Sequence, residues 1–229
     1  MISARSLVIA ISWAVLSTPL IYAQDLSQYR KLQFGMNLLS AAQQTGMKPS
    51  EARTIHQRPA LIQELEWRPQ HVVGDPSLKT DPVRELLLSF YSDELFRIVV
   101  TYDRYRTEGL TDEDMIEALS AKYGTATRPT AKTISFSSSV VYNNKENVIA
   151  CWEDEQYSFN LFRSYSQTFG IVVFSKRLDA LAREAVVEAI RLDEQEAPER
   201  ELERKKKQEE ENRIAKERAR LANKATFRP

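Results

Sequence analysis

The alternation of apolar and polar residues is clearest between Val83 and Tyr102, where it predicts a β-hairpin. In each half every second residue is apolar, which is the period of a strand with one buried face. These residues are Leu86, Leu88 and Phe90 in the first half and Phe96, Ile98, Val100 and Tyr102 in the second. Ser92 and Asp93 separate the halves, and both residue types favour turns. Other elements must cover this hairpin, because a lone hairpin with one apolar face is marginal in water.

Capping residues predict two short helices that precede strands. Asn37 is a suitable N-cap and Gly46 a suitable stop for the first helix. Thr111 is the N-cap of the second, which has acidic residues at 112–114 in its first turn and ends at Gly124. Each helix carries apolar residues at helical spacing, so each should pack on a sheet.

The remaining segments predict further strands and one long loop. Pro49 begins a second short helix that carries Ile55, and Ala60–Arg68 alternates as a strand. The fourteen residues from Pro69 to Pro82 form a loop, whose length is typical of functional or mobile segments. Two more hairpins are expected, with turns at Asn143–Asn144 and at Ser166–Thr168.

The C-terminal part changes from amphipathic to highly charged. Residues 177–197 carry one apolar stripe and should dock on the sheet as a helix, which Pro198 is expected to interrupt. In 198–229, acidic and basic residues alternate at four-residue steps from Glu201 to Glu217, and such pairs stabilise an isolated helix. This tail is a solitary helical spacer, a disordered segment or half of a coiled coil, and the sparse apolar residues favour the first two.

The two halves of the chain follow the same order of features. Gly35-Met36-Asn37 opens one helix and Gly109-Leu110-Thr111 opens the other, and each half continues with a tryptophan strand and a hairpin ending in Ile-Val-Val. We therefore predict an α+β fold with two related helix-plus-antiparallel-sheet units, at 24–108 and 109–176. The amphipathic helix (177–197) and the charged tail (198–229) follow them.

These helix openings also suggest a family resemblance. Gly35-Met36-Asn37 followed by Gly46-x-x-Pro49, and Gly109-Leu110-Thr111 followed by Tyr123-Gly124, resemble the helix openings of SmpA/OmlA-type outer-membrane assembly lipoproteins and of β-lactamase inhibitor proteins. The resemblance covers about thirty residues and implies an exported adaptor or inhibitor that binds a protein partner. The chain lacks the lipoprotein cysteine and the stabilising disulfides of those proteins, so no functional residue is transferred.

Residues 1–23 have the three parts of a secretory signal peptide. Arg5 precedes the apolar run Leu7–Leu16, and the small residue Ala23 precedes the expected cleavage position. The apolar run is shorter than the ~20 residues of a membrane-spanning helix, so we expect a periplasmic or secreted protein. The lone cysteine, Cys151, is expected to be a buried small residue on the same side of its strand as Ile149.

Charge and motifs indicate a binding protein. The net charge of zero argues against a nucleic-acid partner, although the basic surplus of the tail allows peripheral contact with the cell envelope. No catalytic, cofactor or metal-binding motif is present, and His56 and His71 are the only histidines. The alternative is a hydrolase that uses a dispersed carboxylate pair, with Glu64 and Glu66 or Glu153 and Glu155 as candidates.

The candidate partner-binding residues follow the central hairpin. Tyr102, Arg104, Tyr105 and Arg106 combine aromatic and arginine side chains, which are enriched at the energetic centres of protein interfaces. The same composition also suits an ordinary strand end. We therefore predict a non-catalytic adaptor that engages a protein through a sheet face or a loop, with a structural spacer as a further alternative.

Overall fold

A computed structural model of the chain describes residues 25–69, 81–130, 133–135, 145–164, 167–226 and 228. It is an α+β protein, as predicted. The helices are α1 (Leu38–Thr45), α2 (Asp112–Tyr123) and α3 (Lys176–Thr226). The strands are β1 (Gln28–Tyr29), β2 (Leu32–Gln33), β3 (Arg53–His56), β4 (Ile62–Trp67), β5 (Val83–Tyr91), β6 (Glu94–Tyr102), β7 (Thr133–Ser135), β8 (Lys145–Glu153), β9 (Tyr157–Arg163) and β10 (Phe169–Ser175).

One antiparallel sheet organises the described part of the chain. Its strand order is β3-β4-β5-β6-β10-β9-β8, and the short β7 pairs with β8 at the far edge, while β1 and β2 form a separate hairpin. The last strand of each half lies at the centre. There Ile98 faces Val173, Val99 faces Val172 and Val100 faces Ile171.

The central hairpin is confirmed, with one correction to its second strand. Ser92 and Asp93 form the turn between β5 and β6, and both have positive φ angles of 47° and 71°. The register shifts next to this turn, so that Phe90 pairs with Leu95 and Ser89 with Arg97. This β-bulge makes Phe96 the extra residue and turns its side chain to the opposite face from Ile98 and Val100.

Both predicted helix starts are confirmed. The Asn37 side chain accepts a hydrogen bond from the backbone N–H of Ser40 at 2.9 Å, and Gly46 ends α1 in the left-handed conformation. Thr111 and Asp114 form a reciprocal capping box at α2, and Gly124 follows its last residue. These caps satisfy backbone groups that have no partner within the helix.

Two local predictions are wrong. The segment after Pro49 forms only one 3-10 turn, Pro49–Glu51, and Ile55 lies in the edge strand β3 rather than in a helix. In β8 a register shift lies between Val148 and Ala150. It places Ile149 and Cys151 on opposite faces, although Cys151 is buried as expected.

The main core lies between the sheet and the layer formed by α1, α2 and the β1–β2 hairpin. It is continuous from β4 to β8, so both halves of the chain share it. Leu38, Ala41 and Ala42 contribute from α1, and Met115 and Tyr123 from α2. We call this side of the sheet the α1/α2 face.

The opposite side of the sheet, the α3 face, holds a buried ion pair. Leu178, Ala182 and Val186 of α3 pack on Ile62 and Phe96. In the first turn of α3, the Asp179 carboxylate accepts hydrogen bonds from Arg97 in β6, including one from Nε at 2.9 Å, and both side chains are about 5% exposed or less. Arg183 donates to the other Asp179 oxygen at 2.7 Å. A further apolar group on this face contains no residue of α3; it comprises Val99, Val148, Cys151, Phe162 and Val172.

The interruption expected at Pro198 is wrong, because α3 continues through it to Thr226. Proline removes one helical hydrogen bond and crowds the preceding turn. Ion pairs brace the helix at this point: Arg200 donates to Asp193 at 2.7 Å and to Glu196 at 3.2 Å. Arg58, in the loop after β3, donates to both oxygens of Glu196 at 3.0 and 2.8 Å.

Several predictions fall on residues outside the described ranges. They are the signal peptide at 1–23, most of the loop from Pro69 to Pro82 with His71, the turn at Asn143–Asn144, and Ser166 of the last turn. Among the described residues, no helix is long and apolar enough to cross a membrane.

We predict that Asp179→Ala lowers the free energy of unfolding by about 3–5 kcal/mol, because Arg97 then keeps a buried charge without its carboxylate partner. The measurement is urea unfolding monitored by circular dichroism. Glu188→Ala breaks the exposed ion pair with Arg191 and should cost at most about 1 kcal/mol. A loss for Asp179→Ala as small as that for the control would contradict the role of the buried pair.

Gly170→Ala should also destabilise the fold, because β10 passes very close to its neighbours at this position. A Cβ atom there would lie 2.2 Å from the Phe162 ring and 2.7 Å from the Val100 carbonyl oxygen. The second contact is with backbone, so we expect a loss of about 1–3 kcal/mol that Phe162→Leu restores only in part. Stability is measured by urea unfolding. Full restoration by Phe162→Leu would contradict the backbone contribution, because the Phe162 ring alone would then account for the loss.

Candidate functional site

The turn that follows β6 presents an aromatic side chain to solvent on a fixed backbone. Arg104–Arg106 forms a 3-10 turn, and the Asp103 carboxylate accepts hydrogen bonds from the backbone N–H groups of Tyr105 and Arg106 at 2.8 and 3.2 Å. Thr107, which is buried, donates its hydroxyl to the Asp103 carbonyl at 3.1 Å. The Tyr105 side chain is 84% exposed, and Arg104 and Arg106 on either side are also exposed.

Tyr102 does not belong to this exposed surface. Its side chain is 7% exposed and lies in the main core with Tyr29 and Tyr123. The structure therefore brings Arg104, Tyr105 and Arg106 together and separates Tyr102 from them. The alternation along β6 predicted that Tyr102 points into the core. A side chain in the core cannot contact a partner, so the two predictions for Tyr102 were incompatible.

Burial raises the pKa of all three core tyrosines. The pKa of Tyr29 and that of Tyr123 rise to about 12, and that of Tyr102 rises well above its ordinary value. Desolvation is the main cause, because a phenolate loses its hydration in the core. These phenols stay protonated at neutral pH and serve the fold.

An ion pair lies beside the core tyrosines. Arg30 donates to both oxygens of Asp81 at 2.8 and 2.7 Å, and its guanidinium lies 5.6 Å from the centre of the Tyr29 ring. Asp81 also accepts from the Val83 backbone N–H at 2.9 Å. The hydrogen bonds from Arg30 keep the pKa of Asp81 below its ordinary value. This pair joins the β1–β2 hairpin to the start of β5.

The two candidate pairs of catalytic carboxylates are far from each other. Glu64 and Glu153 lie on one transverse row across the α3 face, which runs Arg53-Glu64-Ser89-Arg97-Phe174-Ser158-Glu153. Five strand spacings separate the two, or about 24 Å at 4.8 Å per strand. Retaining and inverting glycosidases hold their two carboxyl groups within about 5–10 Å of each other.

Each of these carboxylates also has a structural role or a different position from the one predicted. Glu64 is buried and accepts from Arg53 at 2.9 Å, and Glu66 pairs with Arg68 at 2.5 Å. Glu153 accepts from Ser158 at 2.9 Å and pairs with Lys176. Glu155 lies in the turn between β8 and β9, not on the strand face with Glu153.

Two concave regions lie next to charged residues of the described chain. A cleft of about 250 Å³ lies between the end of β3 and α3, next to His56, Arg58, Asp193 and Arg200. Another, of about 400 Å³, lies beside Phe34, Tyr157 and Glu94. Within the described ranges, no group of three or more His, Cys, Asp or Glu residues could hold a metal ion.

The shifted tyrosine pKa values predict that stability falls between pH 10 and pH 12. In this window the unfolded chain loses phenolic protons that the folded chain keeps, so unfolding becomes more favourable as the pH rises. For Tyr29 and for Tyr123, a pKa of about 12 in place of 10 corresponds to about 2–3 kcal/mol each. In urea unfolding across this window, Tyr29→Phe should lose stability less steeply than the unchanged chain, and identical slopes would contradict the assignment.

Comparisons of the chain with protein families, with known proteins and with solved structures found no match. The resemblance to SmpA/OmlA-type lipoproteins and β-lactamase inhibitor proteins therefore stays a prediction, and the residues described above are the basis for any functional assignment.

Proposed function

We propose that this chain is a non-catalytic binding module that engages a protein partner through the turn Arg104–Arg106. The observation that carries the proposal is Tyr105, which is 84% exposed while its backbone is held by Asp103 and Thr107. A large side chain on an ordered backbone loses little conformational entropy when it binds. Tyrosine and arginine are also the residue types that contribute most to protein interfaces.

The charges around Tyr105 favour an acidic partner surface. Arg104 and Arg106 are exposed, and neither has a carboxylate within ion-pair distance among the described residues. Guanidinium groups pair with carboxylates through two parallel hydrogen bonds. The carboxylate of the neighbouring Asp103 is already used by backbone N–H groups. The partner surface should therefore combine carboxylates with an apolar recess for the Tyr105 ring.

A loop is a better contact region than a sheet face in this fold. The α1/α2 face is filled by the main core, and α3 packs on part of the other face. Binding a partner to either covered region would require displacement of a helix. The turn after β6 needs no such rearrangement.

The order of elements supports the proposal that the module arose from two related units, 24–108 and 109–176. In each unit, a helix precedes a set of antiparallel strands. The N-cap side chain of each helix accepts a hydrogen bond from the backbone N–H three residues later. Gly35 and Gly109, two residues before the respective N-caps, both have positive φ angles of 85° and 81°. Strands β6 and β10 join the two units, and Val99 and Val172 are the middle pair of residues between these strands.

Export to the periplasm or outside the cell is part of the proposal, and it rests on the sequence of residues 1–23. A hydrolase that uses Glu64 with Glu66 or Glu153 with Glu155 is the alternative class. The ion pairs of Glu64, Glu66 and Glu153 and the position of Glu155 outside the strand weigh against it. A spacer role is the second alternative, which the length of α3 favours: its 51 residues extend about 77 Å at 1.5 Å per residue.

The proposal predicts that a photo-crosslinking amino acid at Tyr105 captures a partner in the native compartment. The matched control is the same amino acid at Val187, which is 67% exposed on α3. We expect a discrete adduct from position 105 that is weakened at least about tenfold by Arg104→Ala with Arg106→Ala, because each lost hot-spot residue costs more than about 1 kcal/mol.

Equal adducts from positions 105 and 187, or no adduct from position 105, would contradict the proposal. Circular dichroism of the Arg104→Ala, Arg106→Ala variant serves as the folding control. Because both side chains are exposed, we expect its unfolding midpoint to match that of the unchanged chain.

A further inference from the structure

The exposed half of α3 is divided by charge into two parts. Residues 199–212 contain five Lys or Arg and six Glu, a net charge of −1. Residues 213–228, here called the distal segment, contain six Lys or Arg and one Glu, a net charge of +5. A uniform solubilising helix would not concentrate its basic charge at the end farthest from the folded body.

Among the described residues, the distal segment forms no hydrogen bond or ion pair with any element other than α3. Its described residues from 213 to 226 are all exposed. Within the described ranges, no hydrogen bond or ion pair joins α3 beyond Glu196 to another element. Arg213 pairs with Glu210 and Arg220 with Glu217, whereas Lys216, Arg218 and Lys224 have no carboxylate within ion-pair distance among the residues described.

The distal segment is amphipathic. On a helix that turns about 100° per residue, Ile214, Leu221 and Ala225 lie within about 40° of one another. Three more alanines, at 215, 219 and 222, widen this apolar stripe. Four basic residues lie within about 80° of one another on the opposite side. They are Arg213, Lys216, Arg220 and Lys224.

One residue departs from this pattern. Arg218 falls inside the apolar stripe, where its aliphatic stem can lie along apolar surface while the guanidinium reaches a polar layer. Such snorkelling suits the boundary between lipid headgroups and acyl chains. It would be unfavourable in a tightly packed coiled-coil seam.

We infer that the distal segment binds the surface of an anionic phospholipid bilayer. Basic amphipathic helices with low overall hydrophobicity adsorb in the plane of a bilayer, and their affinity comes from anionic lipid and from the buried apolar side. An acidic protein groove fits less well, because groove binding needs several large anchors at helical spacing. Here Ile214 and Leu221 are the only large aliphatic residues from 213 to 226.

The rest of α3 then has a clear role. Residues 199–212 form a charged spacer of about 20 Å at 1.5 Å per residue between the distal segment and the folded body. Ion pairs such as Arg204 with Glu201 and Lys205 with Glu201 support this spacer as a helix. The Arg58–Glu196 pair attaches its base to the loop after β3.

The test is co-sedimentation of the full chain with vesicles of phosphatidylcholine that contain about one-third phosphatidylglycerol, a fraction high enough for basic residues to bind. We expect binding that falls with added salt and that is absent from pure phosphatidylcholine vesicles. Replacing Lys216, Arg218, Arg220 and Lys224 by Gln should weaken binding at least about a hundredfold, since each basic residue near an anionic surface contributes about fivefold.

A matched control removes the same number of positive charges from the spacer. Replacing Arg204, Lys205, Lys206 and Lys207 by Gln should change vesicle binding by less than about fivefold, the contribution of one basic residue at the surface. Circular dichroism should show the same helix content for both variants. Equal losses in the two variants would overturn the inference, because net charge rather than the distal segment would then determine binding.

Two further measurements test which side of the distal segment faces the bilayer and whether the anionic groups must belong to lipid. Ile214→Ser with Leu221→Ser should weaken vesicle binding about tenfold, and unchanged binding would overturn the placement of the apolar stripe against the bilayer. Binding to duplex DNA at the same protein concentration and salt as to vesicles would overturn the lipid assignment in favour of phosphate in general. None of these results depends on Tyr105, so they are independent of the proposed protein partner.

Discussion

The buried ion pair between Arg97 and Asp179 determines how the long helix attaches to the sheet. Arg97 lies on β6, one of the two central strands, where an unpaired charge would be very costly. The pair requires the first turn of α3 to lie directly over β6. From this fixed start the apolar stripe of α3 runs over Phe96 and Ile62 toward the β3 edge. This contact, the apolar packing of α3 and the ion pair between Arg58 and Glu196 together direct the exposed half of the helix.

This arrangement explains why exposed segments, and not the sheet, are the candidates for function. The strands present their aliphatic side chains to α1 and α2 on one face, and α3 covers part of the other. On the α3 face, Glu64, Arg97 and Glu153 each form an ion pair or a hydrogen bond that serves the fold. The turn after β6 and the distal part of α3 differ, because both expose side chains whose charges are not fully paired.

Much of the fold could be predicted from local patterns. The caps at Asn37 and Thr111 and the turn at Ser92–Asp93 depend on residues that are neighbours in sequence, and each was confirmed. The errors about side-chain direction came from β-bulges, and the error about the end of the docked helix came from Pro198. A bulge adds one residue to one strand and reverses the alternation beyond it, as at Phe96 and Cys151, and no residue type announces it. The sequence around Pro198 predicted a break, but α3 continues through it, and Glu196 beside it pairs with Arg58, which is distant in sequence.

The candidate site was predicted less completely than the fold. Composition identified Arg104, Tyr105 and Arg106, but it also included Tyr102, because composition does not report the direction of a side chain. The pairing of Arg97 with Asp179 was not predicted, since 82 residues separate them. A charged residue within an apolar strand was the available signal, because such a residue needs a buried partner.

Hydrogen exchange of the full chain, followed by mass spectrometry, tests the central claim that α3 is anchored at its start and free at its end. A helix without tertiary contacts opens at small free-energy cost, whereas a packed helix exchanges only through larger unfolding. We predict strong protection from Leu178 to Ala189, comparable with β6 and β10, and rapid exchange from Leu202 to Thr226. Equal protection of both halves of α3 in the isolated protein would contradict the account.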